Sequence, residues 1–322
     1  MLRKKIVAFS SFFILILICF LLINFLGKNE LKNNNEKIQI IATLFPQYDF
    51  AKHIVGDKAE VKLLLNSGVE THNYEPTPKD MLEMNNSDIF LYTGKDLEPW
   101  TESIINSIKE DCKVIDISNE IELIKIEEFE ERHINKISDE NHNHETHSHD
   151  EIYDGHIWLN PQNAIKMIDN ITKAICEADS TNKAYYEQNA ENYKKEINKL
   201  DAQLESIIQN AERKEIAVGG EFAYAYLVDR YNIDFVSVYN NCGDGEDPSI
   251  SKVKSVIDYI NNKDMKVVFY EELTEGTVAK MIAEETDTQP LVLYSIHNAD
   301  ILKDTYVSLF EKNIENLSKA LK

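Results

Sequence analysis

Residues 183–211 read KAYYEQNAENYKKEINKLDAQLESIIQNA, and apolar side chains recur in this segment at alternating steps of three and four residues. The recurring residues are Ala190, Tyr193, Ile197, Leu200, Leu204, Ile207 and Ala211. They form one continuous helical face, and a helix of this length would extend about 44 Å at ~1.5 Å per residue. A coiled-coil seam has the same spacing, but the segment holds only about three heptads and lies among β-rich runs. We therefore predict one rigid linker helix, residues 181–212, between two lobes.

Short β-rich runs alternate with helical stretches on both sides of this helix. Before it, the runs include residues 40–43 and 89–92, and after it they include residues 267–270. Strands that alternate with helices indicate a parallel sheet. We predict an α/β protein with two Rossmann-like lobes, residues 37–180 and 213–322.

The N-terminus has the features of a membrane segment. Three basic residues, 3–5, precede residues 6–26, which carry no charge and are long enough to cross a ~30 Å hydrocarbon layer. Basic residues on this side place the N-terminus in the cytoplasm and the remaining chain outside. We expect residues 1–27 to form an uncleaved transmembrane anchor and residues 28–36 a polar stalk, at the extracytoplasmic face of the cell membrane. Cleavage of the segment, or lipidation at Cys19, stays open.

Length, charge and cysteine content indicate the number of lobes and the kind of ligand. The chain has 322 residues, 56 Asp and Glu against 34 Lys and Arg, and a formal net charge of −22. This length favours two lobes, because single cores stop growing near ~250–300 residues. The acidic balance repels phosphate backbones, so we expect no nucleic-acid partner, and it favours cations. Outside the membrane segment only Cys112, Cys176 and Cys242 remain, so at most one disulfide could form.

Four of the nine histidines crowd into the loop of residues 139–151, which contains no apolar residue. They are His142, His144, His147 and His149. Imidazole groups interleaved with carboxylates suit zinc at modest affinity, so we predict a disordered, metal-collecting loop. The alternative is a polar loop that is only solvated.

Three further histidines, His72, His156 and His297, lie in turn-rich settings rather than on apolar faces. His297 follows the last predicted strand, and His72 lies in a loop between a strand and a helix. In open α/β sheets, ligands bind at the carboxyl ends of the strands. Taken singly, each of these residues would more often be a hydrogen-bonded structural histidine than a ligand.

Two motifs around these histidines resemble a known family. Residues 68–80, GVETHNYEPTPKD, and 154–161, DGHIWLNP, look like the two histidine signatures of the zinc and manganese solute-binding proteins of ABC importers, whose lobes are joined by one long helix. The likeness runs from about residue 38 to residue 321 and includes the histidine-rich insert. It implies a metal ion between the lobes, with His72 and His156 as ligands from the N-terminal lobe.

The C-terminal lobe departs from the family pattern. Where the family commonly has a third histidine ligand, alignment places Glu221, which could instead be a charge at a helix N-terminus. Where the family usually has an acid after the final strand, this chain has His297. With His72 and His156 these residues would make three nitrogens and one oxygen, a set that suits tetrahedral Zn²⁺ better than Mn²⁺.

Glu271 and Glu272 follow the strand at 267–270 and are reserve carboxylates. We favour hydrogen bonding to backbone at the lobe interface, or plain exposure to solvent, as their role, rather than ligation.

The resemblance implies a metal-binding receptor that captures Zn²⁺ in the interlobe cleft and delivers it to an ABC permease served by a separate ATPase subunit. We expect a monomer and no enzymatic activity. A manganese receptor is the alternative within the family, and a zinc hydrolase or a surface adhesin are alternatives from other classes. The chain lacks the H-E-x-x-H motif, and four protein ligands would close the coordination position that hydrolysis needs.

Overall fold

The computed structural model describes residues 37–69, 71, 74–134, 153–239, 248–272 and 274–322. The predicted anchor, the stalk, His72, the histidine-rich loop and Cys242 lie outside these residues. Within them, none of the helices has both the length and the apolar character that crossing a bilayer requires. Cys112 is buried and Cys176 half-buried, and both are free thiols.

The N-terminal lobe is built on a parallel sheet with strand order β2-β1-β3-β4. Its strands are β1 Gln39–Ala42, β2 Glu60–Leu63, β3 Ile89–Tyr92 and β4 Lys113–Asp116. Its helices are α1 Phe45–Val55, α2 Pro78–Asn85, α3 Gly94–Leu97, α4 Trp100–Ile104, α5 Ile126–Ile134 and α6 Pro161–Ala178. Strands β1 and β3 are almost fully buried because helices cover both faces of the sheet, as parallel sheets require.

The C-terminal lobe repeats this arrangement with the order β6-β5-β7-β8, again all parallel. Its strands are β5 Glu215–Val218, β6 Asp234–Ser237, β7 Val267–Tyr270 and β8 Gln289–Val292. After the long helix α7, Lys183–Gln209, its helices are α8 Ala225–Tyr231, α9 Ile250–Lys263, α10 Thr277–Thr286 and α11 Tyr306–Ala320. The prediction of two α/β lobes is confirmed. In both sheets the strand order reverses beside the first strand, which is where open α/β sheets form a ligand crevice.

The long helix α7 spans Lys183–Gln209 and packs against α1, α6 and α11, so it contacts elements from both ends of the chain. Its buried face contains Tyr186, Ala190, Tyr193, Ile197, Leu200, Leu204 and Ile208. The predicted face is wrong in its last turn, where Ile208 is buried and Ile207 only partly so.

A buried carboxylate ties α7 to both lobes. Asp201 accepts hydrogen bonds from Gln162 Nε2 of α6 (2.7 Å), from Arg230 Nη2 of α8 (2.8 Å) and from the Tyr231 hydroxyl (2.8 Å). Burial alone would raise the pKa of Asp201, but the bonds from Arg230, Tyr231 and Gln162 outweigh it and hold the pKa below its usual range. Asp201 of α7 is therefore an ionised acceptor for donors from two other helices, α6 and α8.

Candidate metal centre

Two of the four predicted ligands, and one reserve carboxylate, follow the carboxyl ends of neighbouring strands. In the C-terminal lobe, Glu221 comes three residues after β5, Glu271 comes directly after β7, and His297 comes five residues after β8. Parallel strands have their carboxyl ends at one edge of the sheet, so these side chains belong to one edge.

Two of the predicted ligands meet across the lobes. The rings of His156 and His297 have centroids 6.0 Å apart and planes inclined by 60°. His156 is only 3% exposed, and His297 is half-buried. His156 lies directly before a 3₁₀ turn, Ile157–Leu159, which leads into α6, and the Asn160 side chain caps that helix. The start of α6 thus fixes where the His156 backbone lies.

His156 is oriented by the residue two positions before it. Its Nδ1 lies 3.0 Å from Asp154 Oδ1, and its backbone N–H donates to the same oxygen at 2.7 Å. With Nδ1 at a carboxylate, ligation of a metal would run through Nε2, the usual carboxylate–histidine–metal arrangement. The Tyr226 hydroxyl of the C-terminal lobe donates to the Asp154 backbone carbonyl at 2.9 Å, so both lobes support this orientation.

His297 also has a hydrogen-bonding partner two residues before it in the sequence. Its Nδ1 lies 2.5 Å from the hydroxyl of Ser295. The backbone carbonyl of Ser295 accepts a hydrogen bond of 2.8 Å from the indole Nε1 of Trp158, and the Trp158 ring packs edge-on against His156 with centroids 5.5 Å apart. The two histidines are therefore linked through protein contacts behind them.

Glu272 has the structural role expected for it. Its carboxylate accepts hydrogen bonds from the Ser295 N–H (2.7 Å), the Ser295 hydroxyl (2.8 Å) and the Ile296 N–H (2.9 Å). Burial raises the pKa of Glu272, and these donors oppose that rise.

Glu221 and Glu271 are neighbours on the C-terminal lobe. Gly220 packs so close to the Glu271 carboxylate that an added Cβ would collide with it. Burial, and then the negative charge of Glu221, raises the pKa of Glu271. The charge of Glu221 repels that of the Glu271 carboxylate, so a cation beside both would be stabilised.

The structure brings together only part of the predicted set. Within the described ranges, no group of three or more His, Cys, Asp or Glu side chains is close enough to hold a metal ion. His72, like His142, His144, His147 and His149, lies outside those ranges. The segment leading to His72 does reach the other lobe, because the Gly68 N–H donates to Asn298 Oδ1 at 3.2 Å, beside His297.

Asp154 and Ser295 contact the predicted ligands, and the sequence analysis did not identify either residue. Each stands two positions before a predicted ligand and contacts its Nδ1. A polar residue at this spacing in D-G-H and S-I-H was the available signal.

Known proteins match this chain along most of its length. The family described as zinc-uptake complex component A, periplasmic (ZnuA), matches residues 40–320. The high-affinity zinc uptake system protein ZnuA of Bacillus subtilis (strain 168) is 31% identical over 312 residues, which cover 94% of this chain and 95% of that protein. The zinc-binding lipoprotein AdcA of Streptococcus pneumoniae (strain R6) is 28% identical over 294 residues, covering 89% of this chain and 56% of AdcA. The chain thus spans about half the length of AdcA.

A solved structure gives the same fold. The metal-dependent lipoprotein YcdH from Bacillus subtilis superposes with a TM-score of 0.73 at 28% identity, covering 88% of this chain and 99% of YcdH. The family match includes both lobes and the helix between them, so the resemblance drawn from the two histidine signatures is confirmed. The chain belongs to the ZnuA family, the periplasmic component A of zinc-uptake complexes.

Proposed function

We propose that this receptor captures one Zn²⁺ ion in the cleft between its lobes through His72, His156, Glu221 and His297, and releases it to a membrane permease. The observation that supports this most directly is the approach of His156 and His297, whose ring centroids are 6.0 Å apart. Each ring has its Nδ1 engaged by a polar side chain, which favours ligation through Nε2.

The partners follow from the family. Receptors of this kind work with an ABC permease and an ATPase, and they are binding proteins rather than enzymes. The chain itself has no G-x-x-x-x-G-K-[ST] phosphate loop, so energy coupling would reside in a separate subunit. We propose that the receptor acts as a monomer.

Residues 1–36 and 139–151 would supply two accessory functions. The uncharged run 6–26 would hold the receptor at the extracytoplasmic face of the membrane, with 28–36 as a stalk. The four histidines of 139–151 would raise the local supply of zinc.

Zinc is favoured over manganese by the donor atoms. Three imidazole nitrogens and one carboxylate oxygen match the tetrahedral preference of Zn²⁺, whereas Mn²⁺ draws on more oxygen ligands. Glu271, beside Glu221, is the residue through which a second carboxylate could enter the set.

Metal analysis and competition titration of the full chain in detergent micelles would test this function. Residues 139–151 would be deleted in every variant, so that the cleft is measured alone. Single replacements His72→Ala, His156→Ala and His297→Ala should each weaken zinc binding by more than the roughly 10- to 100-fold typical of losing a residue that only orients a ligand. His53→Gln is the matched control, because His53 stacks on Tyr193 of α7 and is bonded within α1.

Each alternative gives a different result in this experiment. Full zinc stoichiometry in His72→Ala would refute the cleft site, and an unaltered Glu221→Ala protein would remove Glu221 from it. Preferential retention of manganese would assign the site to Mn²⁺. Ester or peptide hydrolysis by the zinc-loaded protein, abolished by His72→Ala, would favour a hydrolase. Normal growth under zinc limitation without the gene would favour an adhesin.

A further inference from the structure

Ser295 lies between a buried carboxylate and a predicted metal ligand. Its side chain is fully buried in the loop after β8. Its hydroxyl donates to Glu272 Oε1 at 2.8 Å and lies 2.5 Å from His297 Nδ1. Carboxylate, hydroxyl and imidazole therefore form a continuous hydrogen-bonded chain.

The number of protons in this series of hydrogen bonds determines which group donates in each bond. A serine hydroxyl has one proton to donate. With Glu272 as the carboxylate that accepts this proton, the hydroxyl accepts from His297, and the proton between them belongs to Nδ1. A neutral imidazole carries one N–H, so Nε2 then holds the lone pair that a metal ion requires.

We propose that Glu272 and Ser295 are positioning residues that hold His297 in its Nδ1–H tautomer and present Nε2 to the zinc ion. The consequence for zinc rests on the proposed function, whereas the tautomer is a property of the protein by itself. Neither residue touches the metal in this scheme, and both act through His297.

The backbone of this loop supports a positioning role. Ile296, a β-branched residue, has a φ of 64°, in the left-handed region that such residues rarely adopt. The same Glu272 oxygen that accepts the Ser295 hydroxyl also accepts the Ile296 N–H at 2.9 Å. On the other side, Asn313 pairs with both the N–H and the carbonyl of Tyr294. Costly backbone geometry of this kind persists only where surrounding bonds enforce it.

His156 shows the same arrangement with one fewer residue. Its Nδ1 contacts the Asp154 carboxylate directly, at 3.0 Å. Ser295 occupies the equivalent place before His297 but carries no charge, so Glu272 supplies the carboxylate from behind it. Both histidines would then present the same nitrogen to the cleft.

Tautomers can be measured in the metal-free protein. The full chain would be prepared in detergent micelles with ¹⁵N-labelled histidine, and long-range ¹H–¹⁵N spectra would report which ring nitrogen carries the proton. The His297 signals are assigned by their loss in His297→Gln. We expect the Nδ1–H tautomer in the wild type and a shift toward Nε2–H in Ser295→Ala. An Nε2–H tautomer in the wild type, or an unchanged one in Ser295→Ala, would overturn the proposal.

Ser237→Ala is the matched control. Ser237 is also buried, ends strand β6 at the opposite edge of the same sheet, and has its hydroxyl bonded to the Tyr239 N–H. Ser295→Ala should weaken zinc binding by about tenfold or more, as loss of a ligand-orienting residue does, while Ser237→Ala keeps wild-type affinity. Glu272→Gln should shift the tautomer and the affinity in the same direction as Ser295→Ala.

The two proposals fail in different ways. If the tautomer depends on Ser295 but His297→Gln leaves zinc affinity unchanged, His297 is not a ligand, and the zinc-directed part of this proposal is overturned with it. If His297→Gln abolishes tight binding but Ser295→Ala changes neither tautomer nor affinity, the site stands and the positioning role is refuted.

Discussion

Replacing Asp201 by alanine should lower the free energy of unfolding by about 3 kcal/mol. Asp201 is 6% exposed and accepts hydrogen bonds from Gln162, Arg230 and Tyr231. Removing one partner of a fully buried ion pair costs roughly 3–5 kcal/mol. Because the Arg230 side chain is 31% exposed and can regain contact with water, the cost for Asp201→Ala should lie at the lower end of this range. The Tyr231 hydroxyl is buried and would lose its acceptor.

The difference in stability between wild type and Asp201→Ala should depend on pH. The pKa of Asp201 in the folded protein lies below its usual range, so its contribution is present above the unfolded value near ~4 and is lost as pH falls through the folded value. Wild type and Asp201→Ala should therefore differ fully at neutral pH and converge in acid.

Urea unfolding of the full chain in detergent, followed by circular dichroism at pH 7 and at lower pH, measures this difference. At a slope of about 3 kcal/mol per molar, the midpoint should fall by about 1 M. Asp258→Ala is the control, because Asp258 pairs with Lys254 on the surface of α9 and should contribute well under ~1 kcal/mol. Equal midpoints for the two variants would refute the assignment of Asp201 as the bond between α7 and the lobes.

Three further changes have expected outcomes. Burial raises the pKa of Glu98 to about 7, so near neutral pH the folded protein keeps a proton that the unfolded chain loses. As pH rises from 5 to 8, the free energy of unfolding of the wild type, measured with urea, should therefore fall by up to roughly 3 kcal/mol relative to that of Glu98→Gln. Gly220→Ala should displace the Glu271 carboxylate and lower both zinc affinity and melting temperature. Zinc affinity, measured by chelator competition, should fall as pH drops through roughly 6.5, because ligation requires neutral imidazole.

The linker helix shows how accurately hydrophobic periodicity predicts a buried helical face. Alternating steps of three and four average 3.5 residues per turn, but a straight helix has 3.6, so the apolar stripe drifts by about 20° per heptad. Starting from Ala190, five full turns end at residue 208 rather than 207. Ile208 is accordingly the buried residue, and the pattern predicted the helix correctly while placing its last contact one position early.

The site was only partly predictable. Residue type and position after a strand identified His156 and His297, but their convergence came from the resemblance, since periodicity does not relate the two lobes. The bond from Trp158 to Ser295 joins residues far apart in the chain, and no local pattern encodes it. The spacing of Asp154 from His156 was visible in the sequence, but which ring nitrogen it contacts depends on the backbone between them.

Hydrogen bonds between the lobes concentrate directly behind the predicted ligands. The Trp158 indole donates to the Ser295 carbonyl, and the Trp158 carbonyl accepts from the Tyr306 hydroxyl at 2.7 Å. The Tyr226 hydroxyl donates to the carbonyl of Asp154. These groups are mostly buried, so separating the lobes would leave polar atoms without partners and cost free energy for each. The protein's own bonds thus hold the two halves of the cleft together. Metal capture should therefore involve small motion of the lobes, and selectivity should come from the ligand side chains and the residues that orient them rather than from large-scale closure.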